Sequence, residues 1–165
     1  MIPFTNELAQ ESAITSRVLE RVPEDKLTWK PHAKSMTLGQ LALHTATIPG
    51  AIAGIVANDT FALNPATFGN APQPASHAEI MQAFQGSVSA AQSYLEGMSS
   101  ENAEAVWRMT VGEKQVMAMP RMWVVRSIMF NHLYHHRGQL SVYLRLLDVP
   151  VPIIYGASAD ESPFR

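Results

Sequence analysis

The sequence predicts an all-α protein: a four-helix bundle with a small β-hairpin in the crossover before its last helix. Three observations carry that reading. Four long segments repeat apolar residues at helical spacing, capping and breaking residues mark their ends, and the interval 99–119 is β-prone instead.

The first helix is expected from about Phe4 to Arg21, where Leu8, Ile14, Val18 and Leu19 form a partial 3.6-residue stripe and Pro23 stops it. A loop with Trp29, Pro31 and His32 follows. The second helix opens at Thr37, because Thr-Leu-Gly-Gln reads as a capping box in which Gln40 reaches back. It runs towards Asn58, with a kink or break predicted at Pro49-Gly50: Pro49 cannot donate to the Thr45 carbonyl and crowds it. Residues 59–75 read as loop, with Pro65, Gly69, Pro72 and Pro74. The third helix starts at a second box, Ser76 with Glu79, and ends near Glu96 before Gly97. Residues 99–119 read as non-helical, with a hairpin of Val106–Thr110 and Lys114–Met119 turning around Val111-Gly112-Glu113. Pro120 suits a first helical turn, and the last helix continues to Leu147, before Pro150 and Pro152.

The 165 residues suit one domain, 1–165, with a proper core. No apolar run reads as long enough to cross a bilayer, and the opening residues lack a secretion signal. There are no cysteines, so disulfides, thiolate ligands and a cysteine nucleophile are excluded; any thiol must come from a cofactor or substrate. A cytoplasmic location fits. The net charge of −2, scattered along the chain, argues against nucleic-acid binding. Arg121, Arg126, Arg137 and Arg145 share no helix face and read as solvated positions or ion-pair partners. Arg137, beside a histidine motif, is the exception.

Three histidines carry the chemistry. His132 and His136 are four residues apart on the last helix, so their rings stack on one face. His44 lies on the second helix, whose apolar stripe includes Leu41, Ile48, Ile52 and Ile55. A His-x-x-x-His pair arises often by chance, and a single core histidine usually bonds a backbone carbonyl. Three aimed into one core instead describe a transition-metal site. His32 and His77 read as surface positions, and His135 lies about 100° round the helix from His136. Position 133 is Leu, which excludes the glutamate of His-Glu-x-x-His metalloproteases, and no Glu-x-x-His of di-iron bundles occurs. Three nitrogens without a fourth protein ligand describe an open, catalytic type of site, suited to zinc or nickel.

The stretch from Asn131 to Leu140 (Asn-His-Leu-Tyr-His-His-Arg-Gly-Gln-Leu), then 142–152 and 154–161, resembles the end of a DinB-family protein. Leu41-Ala-Leu-His44-Thr-Ala resembles that family's earlier histidine motif, and the helix order agrees over almost the whole chain. The resemblance implies a bundle of up-down-down-up topology, often paired as a homodimer, with a divalent metal on His44, His132 and His136. Asp148 stands where the family commonly has Gly, at a helix end. Relatives with assigned activities include metal-dependent transferases and isomerases using low-molecular-weight thiols.

Three functions follow as expectations, each with a small-molecule partner. A thiol-dependent S-transferase would need a pocket beside the metal for the thiol's charged groups. A hydrolase using activated water would need a general base, and no carboxylate lies at helical spacing from His132 or His136; Asp160 and Glu161 read as a solvated tail. A non-catalytic metal or small-ligand binding protein would show a shallow pocket or a fourth protein ligand. Tyr134, Tyr143, Trp29 and Trp123 read as core packing, and Gln139 and Asn131 as candidates to hold imidazole protons.

Overall fold

The computed structural model describes residues 3–67, 69 and 71–164. In chain order it holds α1 (Phe4–Leu19), a 3-10 turn (Glu24–Lys26), α2 (Leu38–Val56), β1 (Thr60–Ala62), α3 (His77–Glu96), α4 (Ser100–Glu104), β2 (Val106–Val111) and β3 (Lys114–Pro120). The last helix follows as α5 (Arg121–Val124), a π turn (Val125–Phe130) and α6 (Asn131–Leu146).

Two apolar clusters fix how the helices run. One joins Val18 and Leu19 from the end of α1 with Leu41 and Ile80 near the starts of α2 and α3, and with Leu140 and Leu144 near the end of α6. The other joins Leu8, Val56, Leu95, Val124 and Phe130 from the opposite ends. So α1 and the last helix point one way and α2 and α3 the other, the up-down-down-up order. Each fully buried Leu or Phe in these clusters contributes roughly 1.5–3 kcal/mol against leaving it exposed.

The capping box of α2 forms: the Gln40 amide donates to Thr37 Oγ1 at 3.1 Å, and the Thr37 amide to Gln40 Oε1 at 3.0 Å. Pro49 does not interrupt α2, which runs unbroken through it to Val56. The amide of Gly50 donates to Ser87 Oγ at 2.8 Å, and a Cβ at Gly50 would meet Ser87 Cα at 2.8 Å, so α2 and α3 touch backbone to backbone here. By length and composition α2 is apolar enough to cross a membrane, contrary to the sequence expectation; 61% of that stretch is buried within the bundle, as befits a core helix.

The predicted hairpin is β2 and β3, turning at Gly112 with φ +58°. Two elements depart from expectation. Residues 60–62, read as loop, pair in parallel with β2 (Thr60 opposite Arg108) and complete a three-stranded sheet, while 100–104 form the short α4. Trp107 is fully buried and donates to the Ile55 carbonyl at 3.3 Å. Arg121 is buried as well, donating to the Val56 carbonyl at 3.1 Å and pairing with Asp59. These contacts moor the sheet to the end of α2.

Along the last helix the inward stripe is Val125, Met129, Leu133, Arg137, Leu140 and Leu144, spaced mostly by four. Four-residue steps drift about 40° per turn in an α-helix, and the wider π turn absorbs part of that drift. Trp123 falls off the stripe and is 54% exposed, so it is not core as expected. The helix ends in a Schellman motif, with the Val149 amide on the Leu144 carbonyl and Asp148 at φ +56°.

The tail stays largely exposed, as expected, but its carboxylates fold back onto partners. Asp160 pairs with Arg145 and accepts from the Val151 amide, while Glu161 pairs with Arg21 and accepts from the Ile153 amide. Arg137 is 1% exposed, pairs with Glu11 at 2.7 Å and donates to Thr15 Oγ1 and Tyr155 Oη, tying α6 to α1. Each of the four arginines of the last helix is thus an ion-pair partner.

Candidate metal centre

His44 follows the capping box of α2 by one turn, and His132 and His136 sit one turn apart on the first half of α6. In sequence His44 falls between Leu43 of one apolar cluster and Ile48 of the other, so the site lies midway along the bundle. The structure brings together the three histidines expected from spacing. Their rings pack with centroids 4.5–5.0 Å apart, and one nitrogen from each lies within 4.8 Å of the others. His44 Nε2 and His132 Nε2 are 3.2 Å apart. Two imidazoles on one tetrahedral zinc at ~2.0–2.1 Å put their nitrogens about 3.3 Å apart. That pair matches this spacing, and the three together could hold a metal ion.

The electrostatics agree. Burial lowers the pKa of His44 and His132, the latter pushed further by the neighbouring His44 and His135. Burial takes His136 down to about 4, helped by His44 and opposed by its hydrogen bond to the Gln139 amide oxygen. All three rings are therefore neutral at pH 7, the form that binds a cation. Of the two residues considered for holding imidazole protons, Gln139 does so, with Oε1 2.8 Å from His136 Nδ1. Asn131 is exposed and makes no such bond among the described residues. His132 Nδ1 is buried without a partner there.

The trio lies in a cavity of about 400 Å³ lined also by Met36, Leu43, Thr47, Gly69, Ala71 and Pro72. Sequence reasoning missed these lining residues. Thr47, three residues after His44 on the same face, was within reach of a spacing argument; the wall of Gly69, Ala71 and Pro72, which arrives from a loop, was not. Gln40 holds that wall: its Nε2 donates to the Ala71 carbonyl at 2.9 Å while its Oε1 serves the helix cap.

The other candidates lie outside the trio. Tyr134 donates to Glu7 at 2.5 Å, and Tyr143 donates to the Met36 carbonyl at 3.3 Å with Trp29 packed edge-on against its ring. His135 is exposed, its ring 4.8 Å from that of His136. His32 takes the Lys34 amide within its own loop. His77 is not a solvated surface residue: its ring nitrogen bonds the Leu19 carbonyl at 2.9 Å and its amide donates to Glu24, joining the start of α3 to the end of α1.

Known proteins resemble this chain throughout. The uncharacterized protein YrdA of Bacillus subtilis is 24% identical over 151 residues, covering 92% of this chain and 85% of that one. A DinB-like protein of Bacillus cereus superposes with a TM-score of 0.72 at 21% identity, covering 92% of this chain and 95% of the other. The DinB-like protein YjoA of Bacillus subtilis gives 0.69 at 17% identity, over 91% and 95%. The DinB family profile matches residues 3–163. With its two histidine motifs, its bundle and its relatives in agreement, the chain belongs to the DinB family.

Proposed function

We propose that this protein is a metal-dependent enzyme whose His44, His132 and His136 hold one divalent transition ion, zinc or nickel, and that it transfers a low-molecular-weight thiol to small electrophiles. The observation that carries this reading is the meeting of three neutral imidazoles inside a cavity of about 400 Å³. Such an ion supplies Lewis acidity, bringing the pKa of a coordinated thiol or water towards neutrality. The chain does the rest. The histidines present lone pairs, Gln139 fixes the tautomer of His136, and a largely apolar lining borders the site. In the transfer itself the thiol loses its proton, its sulfur forms a bond to an electrophilic carbon, and the leaving group departs with its electron pair. A chain without cysteine must borrow that thiol.

Hydrolysis by activated water has weaker support. No carboxylate is among the described residues lining the cavity, and Asp160 and Glu161 are engaged by Arg145 and Arg21. A purely metal-storing role is disfavoured by the cavity beside a three-ligand cluster. Protein purified without an affinity tag is expected to carry one divalent ion per chain, and His44→Ala and His136→Ala to lose it while staying folded. The loaded protein is expected to conjugate a chromogenic electrophile only when thiol is supplied. Full metal content in both variants would refute the centre; turnover without thiol would refute the transferase.

A further inference from the structure

We infer that the cavity over the three histidines takes an uncharged, largely apolar small molecule. This rests on the metal centre proposed above and narrows what that centre would act on: a thiol whose charged groups need a pocket beside the metal finds none in this lining, so any thiol it takes is an uncharged one. Apart from the histidines, the described lining is Met36, Leu43, Thr47, Gly69, Ala71 and Pro72, and none of these can carry a charge. The ion would satisfy the reacting atom itself. A second charge elsewhere on the ligand would face thioether, methyl and ring carbons, where an unpaired ion costs several kcal/mol of lost hydration (roughly). The wall is tethered to the start of α2 and to the loop before it: Gln40 donates to the Ala71 carbonyl, and Gln73, two residues on, accepts from Thr37 Oγ1 at 2.6 Å and donates to the Leu27 carbonyl at 3.2 Å.

Thr47 supplies the one uncharged hydrogen-bonding side chain of that lining. Its hydroxyl proton is directed at the backbone, with Oγ1 2.9 Å from the Leu43 carbonyl and 3.2 Å from that of His44. The oxygen's lone pairs are what remain for a ligand, so it accepts from an O–H or N–H and offers an anion nothing. A volume near the lower end of ligand cavities suits a small molecule.

The test uses cobalt-loaded protein and follows its visible spectrum while two shape-matched pairs are titrated in: benzyl mercaptan with its para-carboxylate, and phenylimidazole with its para-carboxylate. The neutral member of each pair is expected to bind about tenfold tighter or more, and Thr47→Lys, which places a cation in the cavity, to reverse the order. Carboxylates binding as tightly as their neutral partners in the parent protein would overturn the inference while leaving the thiol reading intact. A neutral preference among the imidazoles with no thiol altering the spectrum would sustain the inference and remove the thiol reading. Protein that takes up no cobalt, or whose cobalt spectrum no ligand changes, would refute both.

Discussion

Gln139 Oε1 lies 2.8 Å from His136 Nδ1, three residues back on the same helix. An amide oxygen only accepts, so the imidazole proton sits on Nδ1 and the Nε2 lone pair is left for the cluster. Gln139→Leu is expected to weaken ion binding about 10–100-fold, and Gln139→Glu to retain it. Competition with a chromogenic chelator measures both, and equal affinities for parent and Leu variant would refute the role.

Acid should act on the metal-free protein through the same rings. Their folded pKa values lie below the ordinary 6.5, that of His136 at about 4. As pH falls through this window the unfolded chain takes up protons that the native state refuses, so stability is complete above about 6.5 and declines towards about 4. Thermal melts of chelator-treated protein should show this decline, and a variant with Asn at positions 44, 132 and 136 should show a shallower one between pH 6.5 and 4.5. Parallel slopes would contradict it.

The Arg137–Glu11 pair is buried on both sides. Arg137→Met leaves the carboxylate without its cation and is expected to cost about 3–5 kcal/mol. Adding Glu11→Leu should restore much of that loss. Denaturant unfolding of both variants decides it, and a double variant no better than the single would argue against an electrostatic cause.

Gln40 joins a helix cap to a cavity wall, and Gln40→Glu separates the two. The carboxylate still accepts from the Thr37 amide but cannot donate to the Ala71 carbonyl. Melting temperature and metal content should hold, while affinity for a cavity ligand drops about three- to tenfold, the worth of one hydrogen bond. A fall in metal content would show that the wall supports the centre as well.

Asp148 occupies a left-handed position at φ +56°. Glycine adopts that geometry without a Cβ penalty, so Asp148→Gly should raise stability by about 0.5–1 kcal/mol, read from thermal unfolding.

The helices and the His132–His136 pair were legible because their signals are local; His44, 88 positions from His132, was joined to them by its place on an apolar stripe and by the family resemblance. Thr37 and Gln40 are three residues apart, and His132 and His136 lie one turn apart on a single element. What was not legible depends on distant partners. The strand 60–62 exists through pairing with 108–110, and nothing in Thr-Phe-Ala alone requires it. The engagement of Asp160 and Glu161 needs Arg145 and Arg21 brought near by folding. Trp123 was misplaced although spacing alone puts it about 200° round the helix from buried Arg121 and Val125. The bond from His77 to the end of α1 spans 58 positions, beyond any spacing rule.

The cage and its antechamber come from different parts of the chain. Helices that also build the core contribute the nitrogens, while the wall of Gly69, Ala71 and Pro72 belongs to a connecting segment tethered by glutamine side chains. A lineage could therefore exchange that segment and acquire new tastes without disturbing the cage. Chains that keep the same three rings need not share a diet.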